Sequence, residues 1–347
     1  MFLQFGFHSA AQRSSTLVLE QFDYGVVLVS SQYVFLGSAG RITRERVVQA
    51  AGIEGVRRTE PLYYGRAGWR NPAEGLRREL MLFGLRPDAR PFQRPELDRM
   101  LTRLNVLDTA IVDRKTGLGY EAYRRGTRTE VGAVELEVLD EYSHGIGFAA
   151  NAGLIVSDLT FTRVIPGTSL ERPTIGLVWL EEGADAQIVK ARLEATLPAD
   201  VGVLTRAEHL EGEIRFVMGK KPIGIIFTTG VWMAFFVGAL VLYQILAAEV
   251  VNHLSEYATL KAMGYESRDV YRVVWHQAAL FALFGFLPAV PLAWAVYAVI
   301  ETFTTLPTRM TLSTFATVLA ATMVMCLVSA ILAARKVDRA DPADLFG

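Results

Sequence analysis

The chain has 347 residues, of which 51% are hydrophobic and 20% charged, with a formal net charge of -1. So apolar a composition argues against a wholly soluble protein, and the balanced charge gives no bulk attraction toward nucleic acid. The only cysteine, Cys326, lies inside an apolar run, which excludes an intramolecular disulfide and a thiolate metal cluster.

Residues Met1 to Phe7 are apolar but too few to cross a bilayer or to act as a signal sequence. Residues 1–14 are therefore expected to be the remnant of a first transmembrane helix and its linker, the rest of that helix lying upstream of Met1. Residues 15–206 are expected to form one large domain. Within it, Tyr24 to Ser30 reads as a buried strand, Thr43 to Ala51 as a helix and Val56 to Tyr64 as a returning strand, which make one β-α-β unit. Ile175 to Leu180, Ala184 to Leu197 and Val201 to Thr205 repeat that order. Between them, about Gly65 to Arg163 is an insertion rich in Gly, Pro and Arg, with strands expected at Ala110 to Val112 and Val131 to Leu139. Residues 207–221 carry helical spacing over Ala207 to Met218 and form a stalk, either transmitting motion or merely tethering.

From Ile223 to Ala248 no residue is charged. As a helix that run reaches roughly 39 Å, enough for a ~30 Å hydrocarbon layer. Spans are thus expected at 222–248, 273–300 and 310–334, with Pro288 and Pro291 bending the second. Lys261, Arg268 and Arg272 follow the first span, and Arg335, Lys336 and Arg339 follow the third, so 249–272 and 335–347 are expected in the cytoplasm. The large domain then lies on the opposite, periplasmic side. The fold class expected is an α+β membrane protein, with three visible transmembrane helices, a fourth truncated at the N-terminus, and a periplasmic α/β domain.

The sequence contains no phosphate-binding P-loop, no H-E-x-x-H, no G-x-S-x-G and no C-x-x-C. No catalytic residue, cofactor or metal site is expected. Ser143 and His144 beside Asp140 and Glu141 suggest a solvated loop rather than a hydrolytic constellation. The pairs Arg57–Arg58, Arg77–Arg78 and Arg124–Arg125 are expected chiefly to solvate a face, with anion binding as the alternative. The informative stretch is Glu249 to Arg272, a polar, helix-favouring link between two spans. Glu256, Leu260 and Met263 recur at i, i+4 and i+7 on one helical face, and Gly264 is placed to cap it. Such a knob suits docking into a cleft of a cytoplasmic protein, with Glu256 and Lys261 fixing orientation; a helix lying in the lipid interface is the alternative.

The segment Glu256 to Tyr265, EYATLKAMGY, resembles the cytoplasmic coupling loop of the MacB/FtsX superfamily of ABC permeases, with Glu256, Tyr257, Leu260, Lys261, Ala262, Met263 and Gly264 on matching positions. Asp341 to Leu345 resembles that superfamily's usual ending after the last span. LYQILAAEVVNHLSEYATLKAMGY and the N-terminal LQFGF run are most similar to DevC-type permeases of exporters for heterocyst glycolipids. The resemblance implies a non-catalytic permease subunit in a bacterial inner membrane, paired with a second copy and with separate ABC ATPase subunits. A membrane-fusion adaptor and an outer-membrane channel complete the route it implies. The competing expectation is an FtsX-like signalling subunit that regulates a periplasmic cell-wall hydrolase. A sensor ranks below both, since no cytoplasmic stretch is long enough for an output domain, and a membrane enzyme ranks last.

Overall fold

A computed structural model describes residues 1–72, 74–117, 119–120, 123–148, 150–303, 308 and 310–338. The chain divides into two units: Met1–Ala10 with Pro222–Glu301 and most of the chain from Thr308 on, and, chiefly, Ala11–Lys221. Helix α1 (Phe2–Glu20) contributes its first half to the one and its second half to the other, running well past residue 14.

Among the described residues the larger unit is built on nine strands. Strand β1 (Val26–Ser30), helix α2 (Arg44–Ala50) and the first half of β2 (Val56–Arg70) form the first β-α-β unit. Strands β3 (Arg77–Leu85), β4 (Thr109–Asp113), β5 (Arg128–Val131), β6 (Val134–Tyr142) and β7 (Gly153–Ser157) make the insertion, with helices α3 (Pro95–Leu101) and α4 (Asp158–Val164). Strand β8 (Ile175–Leu180), helix α5 (Ala186–Thr196) and β9 (Val201–Thr205) close it as the second β-α-β unit, and α6 (Arg206–Lys220) follows.

The two β-α-β units interleave. Their strands run in the order β2-β8-β1-β9 with every neighbouring pair antiparallel, so each unit receives a strand of the other between its own two, a split β-α-β arrangement. Both helices cover one face: Val47 and Ala50 of α2 and Val189 and Leu193 of α5 pack on Val26, Leu28, Val178 and Val203. Alternation along the strands sends Val27, Val29, Leu177 and Trp179 to the other face, where Val18 and Leu19 of α1 and Phe22 bury them.

Strand β2 does not stop at Tyr64. Val56 to Leu62 pair with β8, while Tyr63 to Arg70 pair with β3, so one 15-residue strand serves both sheets. The inserted sheet runs β2-β3-β7-β4-β6-β5 and returns to β2 through Trp69 opposite Val131. Leu80, Leu82, Ala110, Val112, Leu154 and Val156 are buried on one face, and Met81, Phe83, Ile111 and Ile155 on the other. That double burial explains why β3, β4 and β7 read as continuous apolar runs rather than alternating ones. The single strand expected over Val131 to Leu139 is instead a hairpin: Gly132, at φ +59°, and Ala133 turn the chain so that Val131 faces Val134. A Cβ on Gly132 would sit 2.1 Å from the Val164 carbonyl oxygen, so only glycine fits there.

The smaller unit holds α7 (Pro222–Asn252), α8 (Leu254–Ala262), α9 (Ser267–Phe303) and α10 (Leu312–Asp338). Among the described residues three stretches are long and apolar enough to cross a membrane, Pro222–Asn252, Tyr271–Ile300 and Leu312–Arg335. Their exposed side chains include Trp232, Phe236, Phe284, Leu292 and Trp294, an apolar surface that water does not tolerate at this extent. Helices α7 and α10 meet at small residues, with Met325 against Gly238 and the Ser329 hydroxyl donating to the Ala239 carbonyl at 2.9 Å. Helix α9 continues through Pro288 and Pro291. The architecture is the mixed one expected from the sequence: three apolar helices and a large sheet domain with two β-α-β units and an inserted β-rich part.

Candidate functional site

The link between the first two long helices is short, because α7 runs on to Asn252 and α9 already begins at Ser267. Helix α8 fills it, and its end is set by Gly264 at φ +95°, where the Tyr265 N–H reaches back to the Leu260 carbonyl at 3.2 Å. This is the six-to-one bond of a Schellman cap. At the entry of α9 the Glu266 N–H donates to the Asp269 carboxylate at 3.3 Å. The end of α8 and the start of α9 are thus each capped.

Helix α8 has two unlike faces. Tyr257 and Ala258 are buried, and Leu260 is partly buried, against a cluster that includes Leu246, Val250, Val274, Ala330 and Ala333. Burial raises the Tyr257 phenol above its ordinary value. Glu256 and Met263 stand exposed, Met263 at 64%. The i, i+4, i+7 row of Glu256, Leu260 and Met263 is therefore split: its middle member packs inward and its ends point out. The side chains of Lys261 and Ala262 lie outside the described residues, as do Asp341 to Leu345.

His253 opens this region. Its Nδ1 lies 3.0 Å from Glu256 and its Nε2 3.3 Å from Glu249, and the bond and charge of Glu256, then those of Glu249, hold its pKa above the ordinary 6.5.

A second polar cluster, not apparent from sequence, lies in the other unit. Helix α6 starts with a capping box in which the Thr205 hydroxyl accepts the Glu208 N–H and the Glu208 carboxylate accepts the Thr205 N–H. Lys190 at 2.8 Å, then the Thr205 N–H, hold that carboxylate down to about 2. One turn on, His209 and Glu213 face inward at i and i+4, both buried. His209 Nδ1 lies 2.9 Å from the Tyr24 hydroxyl and Nε2 2.7 Å from the Tyr33 hydroxyl; Tyr33 donates in turn to Glu213, which also accepts the Leu36 N–H at 2.8 Å. Since Tyr33 spends its proton on Glu213, its oxygen accepts from Nε2–H, and Nδ1 accepts from Tyr24. All four side chains form one directed chain. Burial lowers His209 to about 4 and raises Glu213 to about 7, keeping both near neutrality in a poorly solvated site. The i, i+4 spacing of His209 and Glu213 is the only trace of this in the sequence, and it carries no sign of the tyrosines 176 and 185 residues away.

Asp140 and Glu141 lie on β6 rather than in the expected solvated loop, Ser143 and His144 follow directly after it, and the four form no hydrolytic arrangement. Asp140 pairs with Arg103 and Glu141 with Arg114. His144 meets the Leu17 carbonyl at 2.7 Å, and its N–H, with those of Lys115 and Gly145, binds the buried Asp113 carboxylate. Of the arginine pairs, Arg58 lies over the Trp179 ring at 3.9 Å and donates to the Arg90 carbonyl at 2.8 Å, while Arg77 and Arg78 pair with Glu130 and Glu74. These guanidiniums are spent within the fold.

Comparison with known proteins adds four findings. The periplasmic region of MacB from Actinobacillus actinomycetemcomitans superposes with a TM-score of 0.38 at 10% identity, over 54% of this chain and 91% of that one. The extracellular domain of the noncanonic ABC-type transporter YknZ from Gram-positive bacteria does so with a TM-score of 0.36 at 14% identity, over 52% and 98%. No curated protein matches by sequence. Residues 228–342, a third of the chain that takes in most of α7, all of α8 and α9 and the described part of α10, match the family model of the FtsX-like permease C-terminal domain.

Proposed function

We propose that this chain is the permease subunit of an ATP-driven ABC exporter that works by mechanotransmission. In this reading the three apolar helices lie in a bacterial inner membrane, the sheet unit is periplasmic, and α8 receives force from a separate ABC ATPase. Two copies act together, and the cargo is a lipid, a glycolipid or another hydrophobic compound, as in DevC-type exporters, handed to an adaptor and an outer-membrane channel. The observation that carries the reading is α8 itself, a capped helix between two long apolar ones, anchored by Tyr257 and Leu260 and presenting Glu256 and Met263 outward. An apolar anchor beside a charge is the composition of a docking point. The match of residues 228–342 to FtsX-like permeases supports it.

The division of labour within α8 follows from burial. Tyr257 and Leu260 hold the helix on the bundle, so a push on its outer face reaches α7, α9 and α10 through their common cluster. Met263 enters the cleft of the partner, Glu256 fixes orientation against a cationic residue there, and Lys261 and Ala262 complete the contact. The test is reconstitution of the full chain with its ATPase. Glu256→Lys and Met263→Asp, both on exposed positions, are expected to abolish stimulation of ATP hydrolysis while membrane insertion is unchanged. Stimulation that survives both substitutions sinks the docking role. Purification with a cell-wall hydrolase and without an adaptor selects signalling over export.

A further inference from the structure

The loop after β1 and the stretch before α2 wall an open recess of about 540 Å³, lined by Ser31, Gln32, Arg41, Thr43, Arg172 and Asp200 among others. It lies where β1 ends at Ser30 and its two antiparallel neighbours, β8 and β9, begin. Two backbone bonds set which side chains enter it. The Ile42 N–H donates to the Pro173 carbonyl at 3.0 Å and the Arg44 N–H to the Glu171 carbonyl at 2.9 Å, so Thr43 stands opposite Arg172 across a short antiparallel ladder. Side chains alternate along such a ladder, which sends Arg41, Thr43 and Arg172 into the recess. Arg44 and Glu171 go to the other face, where the buried Tyr63 phenol, raised by desolvation, also feels both charges. Gly40 lies so close to Ser30 that a Cβ would come within 2.9 Å of the serine side chain, which sets Arg41 beside the end of β1.

The charge in the recess is unspent. Arg41 and Arg172 are exposed, and among the described residues neither side chain makes an ion pair or a hydrogen bond; the segments around them, 1–72 and 150–221, are described without a gap. Asp200, the carboxylate in the wall, is taken by Arg46 at 3.3 Å, and neither Arg41 nor Arg172 lies within ion-pair distance of it. The Ser31 hydroxyl and the Gln32 amide, also without a partner among the described residues, add neutral donors. What faces the open space is a pair of uncompensated cations flanked by uncharged hydrogen-bonding groups.

We propose that this recess binds a phosphate monoester, its phosphoryl oxygens shared between Arg41 and Arg172. Such a group carries about two negative charges at neutral pH and several acceptor oxygens, which two guanidiniums answer in full, whereas a lone carboxylate leaves one of them without an anion. Ser31 and Gln32 donate to the acceptors that the arginines leave, and the rest of the recess takes the carbon skeleton to which the phosphate is joined. A soluble ester and a lipid headgroup present the same phosphate, and the experiment separates them. The site is built by the sheet unit alone, so it does not depend on reading the apolar helices as spans.

The experiment titrates the full chain in detergent, at neutral pH and constant ionic strength, with glycerol phosphate, with dihexanoyl phosphatidic acid and with acetate, read by calorimetry. Glycerol phosphate is expected to bind at least about tenfold more tightly than acetate. Arg41→Gln and Arg172→Gln are each expected to weaken it by about tenfold or more. The unfolding temperature of both variants should match the parent chain, because neither side chain has a partner in the fold. Asp200→Asn is expected to tighten binding, since the wall then loses its negative charge. Phosphatidic acid that binds about as tightly as glycerol phosphate assigns a soluble ester as the ligand. Phosphatidic acid that binds at least about tenfold more tightly, with the same loss in the arginine variants, assigns a lipid headgroup. Absence of binding by both phosphate compounds overturns the proposal, as does acetate binding as tightly as they do, or an affinity that survives both arginine substitutions. If a glutamine variant cannot be purified folded, the lysine variant at the same position takes its place and must still weaken glycerol phosphate, an unchanged affinity overturning the proposal.

Discussion

Tyr33 and Glu213 are joined by a hydrogen bond that ties the loop after β1 to the second turn of α6, and His209 on the same helix face completes the tie through the other side of the Tyr33 hydroxyl. Arg206 lies over the Tyr24 ring at 5.5 Å, Lys221 over Phe35 at 4.3 Å, and Phe35 stacks on Phe216 at 4.7 Å. Helix α6 is thus held to the sheet unit along its length by specific polar and aromatic contacts.

The two buried ionisable groups of this cluster oppose each other in pH. Glu213, raised from 4.5 to about 7, contributes stability that is full below 4.5 and lost as pH rises through about 7. His209, lowered from 6.5 to about 4, contributes stability that is full above 6.5 and lost as pH falls through about 4. Over the shared window the folded chain holds the proton on Glu213 and the unfolded chain holds it on His209, so the pair adds almost no pH dependence. Glu213→Gln should expose the histidine alone: relative to the parent chain, stability should fall on acidification from pH 7 to 4, by on the order of 3 kcal/mol. His209→Gln should do the reverse, gaining as pH falls from 7 to 4.5. Thermal unfolding against pH for the three proteins checks both signs, and parallel curves would refute the compensation.

Gly264→Ala should loosen the end of α8. No heavy atom lies within 4 Å of the added Cβ, so the cost is conformational, about 1–2 kcal/mol for an L side chain at positive φ. Hydrogen exchange of the amides after Thr259 should quicken while the sheet unit is unaffected. Gly264→Asn, which tolerates that backbone better, should recover part of the protection.

Trp69→Ala should destabilise the sheet unit by about 3–5 kcal/mol. Its ring is fully buried, stacked on Tyr120 at 5.1 Å and close to Tyr123 at 5.4 Å, and its indole N–H donates to Thr129 at 2.8 Å. It also stands at the residue pair through which the inserted sheet returns to β2. Denaturant titration of the full chain in detergent, followed by sheet-unit fluorescence, measures the loss.

Thr205→Ala removes one half of the α6 capping box and should cost about 1 kcal/mol. Thr205→Ser keeps the accepting oxygen and should cost much less. The comparison isolates the cap from the buried cluster one turn later, since neither variant touches His209 or Glu213.

The local elements were legible because they rest on short-range physics. Uncharged runs long enough to span, the strand edges of Ile175–Leu180 and Val201–Thr205, and the cap at Gly264 depend on residues within a turn or two of each other. What the chain's order of residues could not display is what pairs across distance. That β2 serves two sheets depends on β3 and β8 approaching the same strand from opposite ends of the domain. The hairpin at Gly132 needs φ +59° and the nearby Val164 carbonyl to show why glycine stands there. The His209 and Glu213 cluster, and the inward turn of Tyr257 and Leu260, exist only once packing has chosen which face of each helix is dry. Periodicity names the apolar face of a helix, but burial of a polar or mixed face is decided by the partners that satisfy it, and those come from tertiary structure alone.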